Sequence, residues 1–176
     1  GFISQSGSLV NLFVNECSNK GLAFSHVVSI GNGVDVDMAD LLEWMGRDDK
    51  TLIICSYCEG TRDSARLVRA LRGTTAHKPV IMWKVGLTAA GSRAAASHTG
   101  AMTGKVDLWN SLFRQFHVLD VYDIEEMTDL AMAFYNLEPG GAARVVIISG
   151  PGGPAVSAAD AVERNGLSMA VPGEES

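Results

Sequence analysis

Residues 51–85 read TLIICSYCEGTRDSARLVRALRGTTAHKPVIMWKV. Two short runs, Thr51 to Tyr57 and Pro79 to Val85, flank a helical stretch at Arg62 to Arg72. Both runs are rich in apolar and β-branched residues almost throughout, as expected of strands buried on both faces of a parallel sheet. Outward from this unit the alternation continues. Further strand candidates are Phe24 to Ile30, Val118 to Val121 and Arg144 to Ser149, and Gly1-Phe2-Ile3 reads as the last part of a strand. Helix candidates fall at Gly7 to Lys20, Met38 to Arg47, Val106 to Gln115, Ile124 to Leu137 and Pro154 to Asn165. Asp123 with Glu126 three residues on reads as an N-cap with a capping box. Strands alternating with helices of this length imply right-handed crossovers and an α/β, doubly wound, mostly parallel sheet. In such a sheet ligands bind beyond the carboxyl ends of the strands, so the strand exits carry the functional reading.

The chain has 176 residues, 47% hydrophobic and 19% charged, enough to bury a core. No apolar run approaches the roughly 18–20 residues needed to cross a bilayer. The formal charge of −6 argues against nucleic-acid binding through a basic face, yet one phosphate can still be held by backbone N–H groups. Three cysteines without zinc-ligand company suggest reduced thiols, a cytoplasmic setting and no metal site. Cys55 and Cys58 form a C-x-x-C inside a strand, where alternation puts them on opposite faces as core residues. Leu137 to Ala142, rich in Gly and Pro, reads as a linker. It divides a domain at 1–137 from a segment at 138–176 that opens a second βα domain; a last βα unit of the same sheet is the rival reading. The abrupt ends fit a piece of a longer polypeptide.

Four exits hold unusual residues. Ser4-Gln5-Ser6-Gly7-Ser8 leads into a helix, where small residues leave N–H groups pointing at an anion and the hydroxyls of Ser4 and Ser6 can add donors; an ordinary Ser6 N-cap is the alternative. Glu59-Gly60 places a carboxylate after a buried strand, either as a helix cap or as partner to a protonated group. The long segment from Gly86 to Ala101 contains Ser97-His98-Thr99-Gly100, a histidine between small residues that a bulky phosphate ester can approach. Gly31-Asn32-Gly33-Val34-Asp35-Val36-Asp37 lacks the ligands of an EF-hand and reads as a loop that caps the next helix and lines a pocket. Together these describe a phosphohistidine site: Glu59 holding Nδ1–H of His98, Nε2 free to attack phosphorus, and the helix start binding the non-bridging oxygens.

Ser4-Gln5-Ser6-Gly7, Gly31-Asn32 with Asp35-Val36-Asp37, Tyr57-Cys58-Glu59-Gly60, Lys84-Val85-Gly86 and Ala94-Ala95-Ala96-Ser97-His98-Thr99-Gly100-Ala101 resemble the NDP-forming acyl-CoA synthetases, relatives of the succinyl-CoA synthetase α subunit. The resemblance runs from Gly1 to about Asn136, and Arg144 to Gly166 is similar to the start of the family's next flavodoxin-like domain. It implies a flavodoxin-like, succinyl-CoA synthetase-type three-layer sandwich in an acid–thiol ligase. An acyl-CoA and phosphate give an acyl phosphate, the histidine takes its phosphoryl group, and ADP or GDP receives it in an ATP-grasp domain. By motif His98 is the phosphorylated residue and Glu59 its orienting carboxylate. Ser4, Gln5, Ser6 and Gly7 fall at the phosphate-binding helix start, with Arg93, Asn32, Thr99 and Gly100 as candidates to assist. The resemblance further implies CoA, ATP/ADP or GTP/GDP and Mg for the parent enzyme, with none bound in this fragment. Its partners would be a CoA-binding domain, an ATP-grasp domain or subunit and a small carboxylic acid or acyl-CoA substrate, without nucleic acid or membrane and with homo-oligomer formation open. Leu87 stands where a polar or basic residue is expected. Two other classes compete. A non-catalytic acyl-CoA-sensing module would tend to lose the histidine, and a flavin mononucleotide domain would need a pair of ring-flanking aromatics.

Overall fold

The computed structural model describes residues 1–91, 93, 105–137 and 143–171. It forms two compact units, Gly1–Leu137 and Glu138–Ser176. The first holds five parallel strands: β1 (Phe2–Ser4), β2 (Val27–Ser29), β3 (Ile54–Cys58), β4 (Val80–Lys84) and β5 (Leu119–Val121). Its described helices are α1 (Gly7–Asn19), α2 (Met38–Arg47), α3 (Ser64–Thr75), α4 (Val106–Phe116) and α5 (Ile124–Asn136). The strand order is β2-β1-β3-β4-β5. The chain steps from β1 outward to β2, then returns past β1 to β3. That reversal leaves a crevice outside the carboxyl ends of β1 and β3, where doubly wound sheets bind ligands.

The layers follow from strand periodicity. Ile54, Cys58, Val80 and Met82 face one core with Leu42 and Met45 of α2, Leu67 and Leu71 of α3, and Trp109 and Phe113 of α4. Cys55, Ile81 and Val121 face the other core, against Phe13 and Cys17 of α1 and Met127 and Ala131 of α5. Successive side chains point to opposite faces, so one apolar run feeds both cores. The result is a flavodoxin-like three-layer sandwich. Cys55 and Cys58 lie in opposite cores, both buried.

Burial pushes the Cys55 thiol up to about 12 and that of Cys58 up to about 11, and it also raises Cys17. At pH 8 a thiol near 11 is ionised in only about one molecule in a thousand, so a disulfide reagent should leave all three unmodified in the folded chain and label them after denaturation. Rapid native labelling of Cys55 or Cys58 would contradict their placement.

Several strands are shorter than the sequence suggests. β2 is an edge strand paired only with β1, and Ser25 and His26 before it are occupied at side-chain level by Thr51 and Asp48. Thr51 belongs to a turn, donating its N–H to the Asp48 carbonyl, which delays β3 to Ile54. Helix starts follow the expected chemistry more closely. Asp37 and Asp40 form a capping box at α2, and Asp63 caps α3 by accepting from Arg66 N–H at 2.9 Å. At α5 Asp123 accepts from Glu126 N–H at 2.8 Å, but the Glu126 carboxylate accepts from Tyr122 N–H, one residue before the cap, rather than closing the box.

In the second unit β6 (Arg144–Val145) pairs in parallel with β7 (Ser168–Met169) across α6 (Gly152–Arg164), in a sheet of its own. Residues 146–149 extend beyond β6 because β7 offers partners to two residues only. Among the described residues no helix is long and apolar enough to cross a membrane.

Candidate active site

The site is built where β1, β2 and β3 end. β1 delivers Ser4, whose buried hydroxyl donates to the Ser6 carbonyl at 2.8 Å and accepts from Ser6 N–H at 3.0 Å. That closes a tight turn into α1 and commits the hydroxyl proton of Ser4 to the Ser6 carbonyl. Ser6 occupies the N-cap position with extended backbone but makes no side-chain cap bond; its hydroxyl meets that of Ser8 at 3.2 Å instead. The alternative of an ordinary serine cap therefore does not describe this helix. No acidic residue lies in the first turn, so the amides of Gly7, Ser8 and Leu9 open the 13-residue helix without a capping side chain. A Cβ on Gly7 would meet nothing nearer than the Ser29 hydroxyl at 3.8 Å, which leaves room at the helix start. These amides and the helix dipole favour an anion there.

Glu59, 5% exposed, is the first residue past β3. It does not cap α3, a role Asp63 fills. Tyr57, two residues back on the same face, has its hydroxyl pushed up to about 12 by burial first, then by the Glu59 charge and a hydrogen bond to that side chain. Gln5 also turns toward Glu59: its Oε1 accepts from Glu59 N–H at 2.6 Å and Gly60 N–H at 3.1 Å. The loop Gly31 to Asp37 begins with two left-handed glycines, Gly31 at φ 51° and Gly33 at φ 57°. It places exposed Asn32 around one recess with Gln5, Gly60 and Arg62. Arg93 is described and exposed, whereas His98, Thr99 and Gly100 lie outside the described residues.

Lys84 is the residue the strand-exit reading passed over. It ends β4 buried, and its ammonium donates to the carbonyls of Glu59, at 2.8 Å, and Val85. Burial lowers its pKa, while Cys58 and Glu59 oppose that shift. The available signal was a lysine closing an otherwise apolar run. Among the described residues, two larger cavities lie elsewhere. One of about 340 Å³ is lined by Gly1, Phe13, Phe24, Ile53 and Tyr135, and one of about 480 Å³ by Arg114, His117 and Asp120. Among the described residues no group of three or more His, Cys, Asp or Glu is placed to hold a metal ion.

Residues 1–134 match the succinyl-CoA ligase like flavodoxin domain. This chain belongs to that family. The α subunit of acetate–CoA ligase [ADP-forming] II from Pyrococcus furiosus is 40% identical over 169 residues, covering 96% of this chain and 37% of the subunit. The 4-hydroxybutyrate–CoA ligase [ADP-forming] of Nitrosopumilus maritimus is 33% identical, covering 96% of this chain and 24% of that protein. Among solved structures, the dinucleotide forming acetyl-coenzyme A synthetase 1 of Ca. Korarchaeum cryptofilum, in complex with phosphate and ADP, superposes with a TM-score of 0.87 at 34% identity. That comparison covers 98% of this chain and 38% of the synthetase. This succinyl-CoA ligase-like chain thus spans between about a quarter and two fifths of the length of these relatives.

Proposed function

We propose that this chain is the phosphohistidine-carrying part of an NDP-forming acyl-CoA synthetase, with His98 as the phosphoryl carrier. What carries the reading is a buried carboxylate, Glu59, at the carboxyl end of the sheet, contacted by Gln5 two residues before an uncapped helix start. The relatives' names, ADP-forming acid–CoA ligases, supply the reaction class. In that reaction phosphate displaces CoA from an acyl-CoA to give an acyl phosphate. Nε2 of His98 then attacks phosphorus, the P–O bond to the acyl group breaks and the carboxylate leaves. Finally an oxygen of ADP or GDP takes the phosphoryl group, and the imidazole is regenerated.

The residues of this chain have three tasks. Glu59 accepts Nδ1–H of His98, which fixes the tautomer and stabilises charge on the ring as the N–P bond forms. A carboxylate has acceptor sites for both this proton and the Tyr57 hydroxyl. The first-turn amides of α1 hold the non-bridging phosphoryl oxygens. Ser4 shapes the turn that presents those amides. CoA and the nucleotide are assigned to the CoA-binding and ATP-grasp partners. Among the described residues no group of three or more His, Cys, Asp or Glu is placed to hold Mg, which is assigned with the nucleotide to the ATP-grasp partner.

The test is incubation with γ-labelled ATP and a competent ATP-grasp partner. The chain should take up label that is stable in base and lost in acid; no uptake overturns the proposal. Glu59→Gln should slow uptake by about 10- to 100-fold, as when an outer partner is removed from a metal-bound imidazole, with the melting temperature preserved. An unchanged rate removes Glu59 from the site.

A further inference from the structure

We propose that Gln5 and Lys84 are positioning residues that grip the backbone of Glu59 from the strands on either side, so that its carboxylate is presented in one direction. This rests on the reading of Glu59 as the partner of His98.

β3 lies between β1 and β4, with Ser4 opposite Tyr57 and Cys58 opposite Lys84. Glu59 is the first residue beyond this ladder. A chain leaving a sheet loses its backbone partners there, and its exposed peptide groups fray. Here side chains take their place. From the β1 side, Gln5 continues the ladder with its own N–H to the Tyr57 carbonyl at 3.2 Å, and its Oε1 then accepts the N–H groups of Glu59 and Gly60. Two N–H donors converging on one atom require the amide oxygen at that position, which fixes the orientation of the side chain. From the β4 side, Lys84 donates to the Glu59 carbonyl and to the Val85 carbonyl, and its ammonium lies over the face of Trp109, 4.9 Å from the ring centroid. Two carbonyl acceptors and a cation–π contact thus surround the ammonium.

Both grips are buried, Gln5 at 6% exposure and Lys84 at 3%. A buried ammonium is costly unless it is well satisfied, and here it is directed at backbone carbonyls. With its N–H and C=O both held, Glu59 keeps only its side-chain torsions as freedom. Gln5 also suits the task chemically: it supplies an acceptor without a second negative charge beside Glu59. Its oxygen serves the Glu59 turn, which makes Gln5 a positioning residue for Glu59.

The experiment uses the full chain, with amide hydrogen exchange read at Glu59 and Gly60 and label uptake from γ-labelled ATP read with the ATP-grasp partner. Gln5→Met removes the acceptor at similar length and should speed exchange of both amides by about tenfold or more. It should also slow label uptake by about 10- to 100-fold through misplacement of the carboxylate, with the half-saturating ATP concentration unchanged. Gln5→Glu retains an acceptor oxygen and should restore amide protection. Lys84→Met should slow uptake to a similar degree; if it loses cooperative unfolding, the Gln5 pair decides the matter alone. Wild-type exchange and uptake in Gln5→Met, alongside a slowed Glu59→Gln, would overturn the grip while leaving the reading of Glu59 intact. Wild-type uptake in Glu59→Gln would remove that reading and the grip's function with it, even if the amides were protected as expected.

Discussion

On the proposed function, His98→Ala should take up no phosphate from γ-labelled ATP, a fall of more than about 10³-fold, since it would remove the covalent nucleophile and leave no carrier. The three other histidines make this a sharp test. His26 lies directly before β2, His77 shortly before β4 and His117 shortly before β5. In a parallel sheet all three therefore sit at the amino ends of the strands, opposite the crevice beyond β1 and β3. His26 is further held by Asp48, 3.1 Å from its Nε2, and packed against Trp44 with centroids 4.4 Å apart. His77 and His117 are exposed, and neither neighbours the start of α1 in the fold. His98, by contrast, follows β4 in the chain, so the polypeptide that carries it departs from the carboxyl end. Substituting His26, His77 or His117 by alanine should leave the label in place. Label retained in His98→Ala, and lost in one of the other three, would move the carrier to the other end of the sheet and sink the proposed function.

The asymmetry between exits and their supports also explains what the sequence could and could not reveal. Strand and helix alternation is a local signal, and each of the five strands of the first unit falls at a site with that signal. Strand ends are not local. Thr51 is as β-prone as its neighbours, yet its hydroxyl is taken by Asp48 and Ser25 and its N–H by a turn. β7 carries almost no pattern over Ser168–Met169 and exists because β6 supplies its partner. The same division holds in the site. Glu59 and the Ser-Gly start of α1 are conspicuous because polar or small residues follow apolar runs. The roles of Gln5 and Lys84 depend on backbone groups 54 and 25 residues away, brought alongside only by the β1–β3–β4 register. A spacing rule along one segment cannot express that. Ser6 shows the reverse error: its residue type suggests a cap, but its hydroxyl turns to Ser8.

Phe13→Ala should lower unfolding stability by about 3 kcal/mol, toward the low end of the 3–5 kcal/mol usual for such truncations. The ring is 1% exposed, tilted against Phe2 at a centroid distance of 4.4 Å and edge-on to Phe24 at 5.8 Å. Through these contacts it fixes α1 to β1 and to the chain entering β2. The low end is expected because Phe13 already borders the cavity of about 340 Å³, so truncation enlarges an existing recess instead of opening a sealed void. Against a typical total of about 5–15 kcal/mol this is a large fraction, equivalent to a fall on the order of 10 °C in melting temperature. Phe13→Leu, which keeps most of the apolar volume, should lose less than about 1.5 kcal/mol. Denaturant titration of the three proteins measures both losses, and a loss below about 1 kcal/mol in Phe13→Ala would contradict this packing. The same variant separates the body of α1 from its start. Gln5 and Ser4 hold the helix start through bonds that do not involve Phe13, namely to Tyr57, Glu59 and Gly60 and to Ser6. Below its lowered melting point Phe13→Ala should therefore take up label at the wild-type rate. A rate that falls with stability would show that the α1 amides proposed to hold the phosphoryl group depend on the packing of the whole helix rather than on the turn that introduces it.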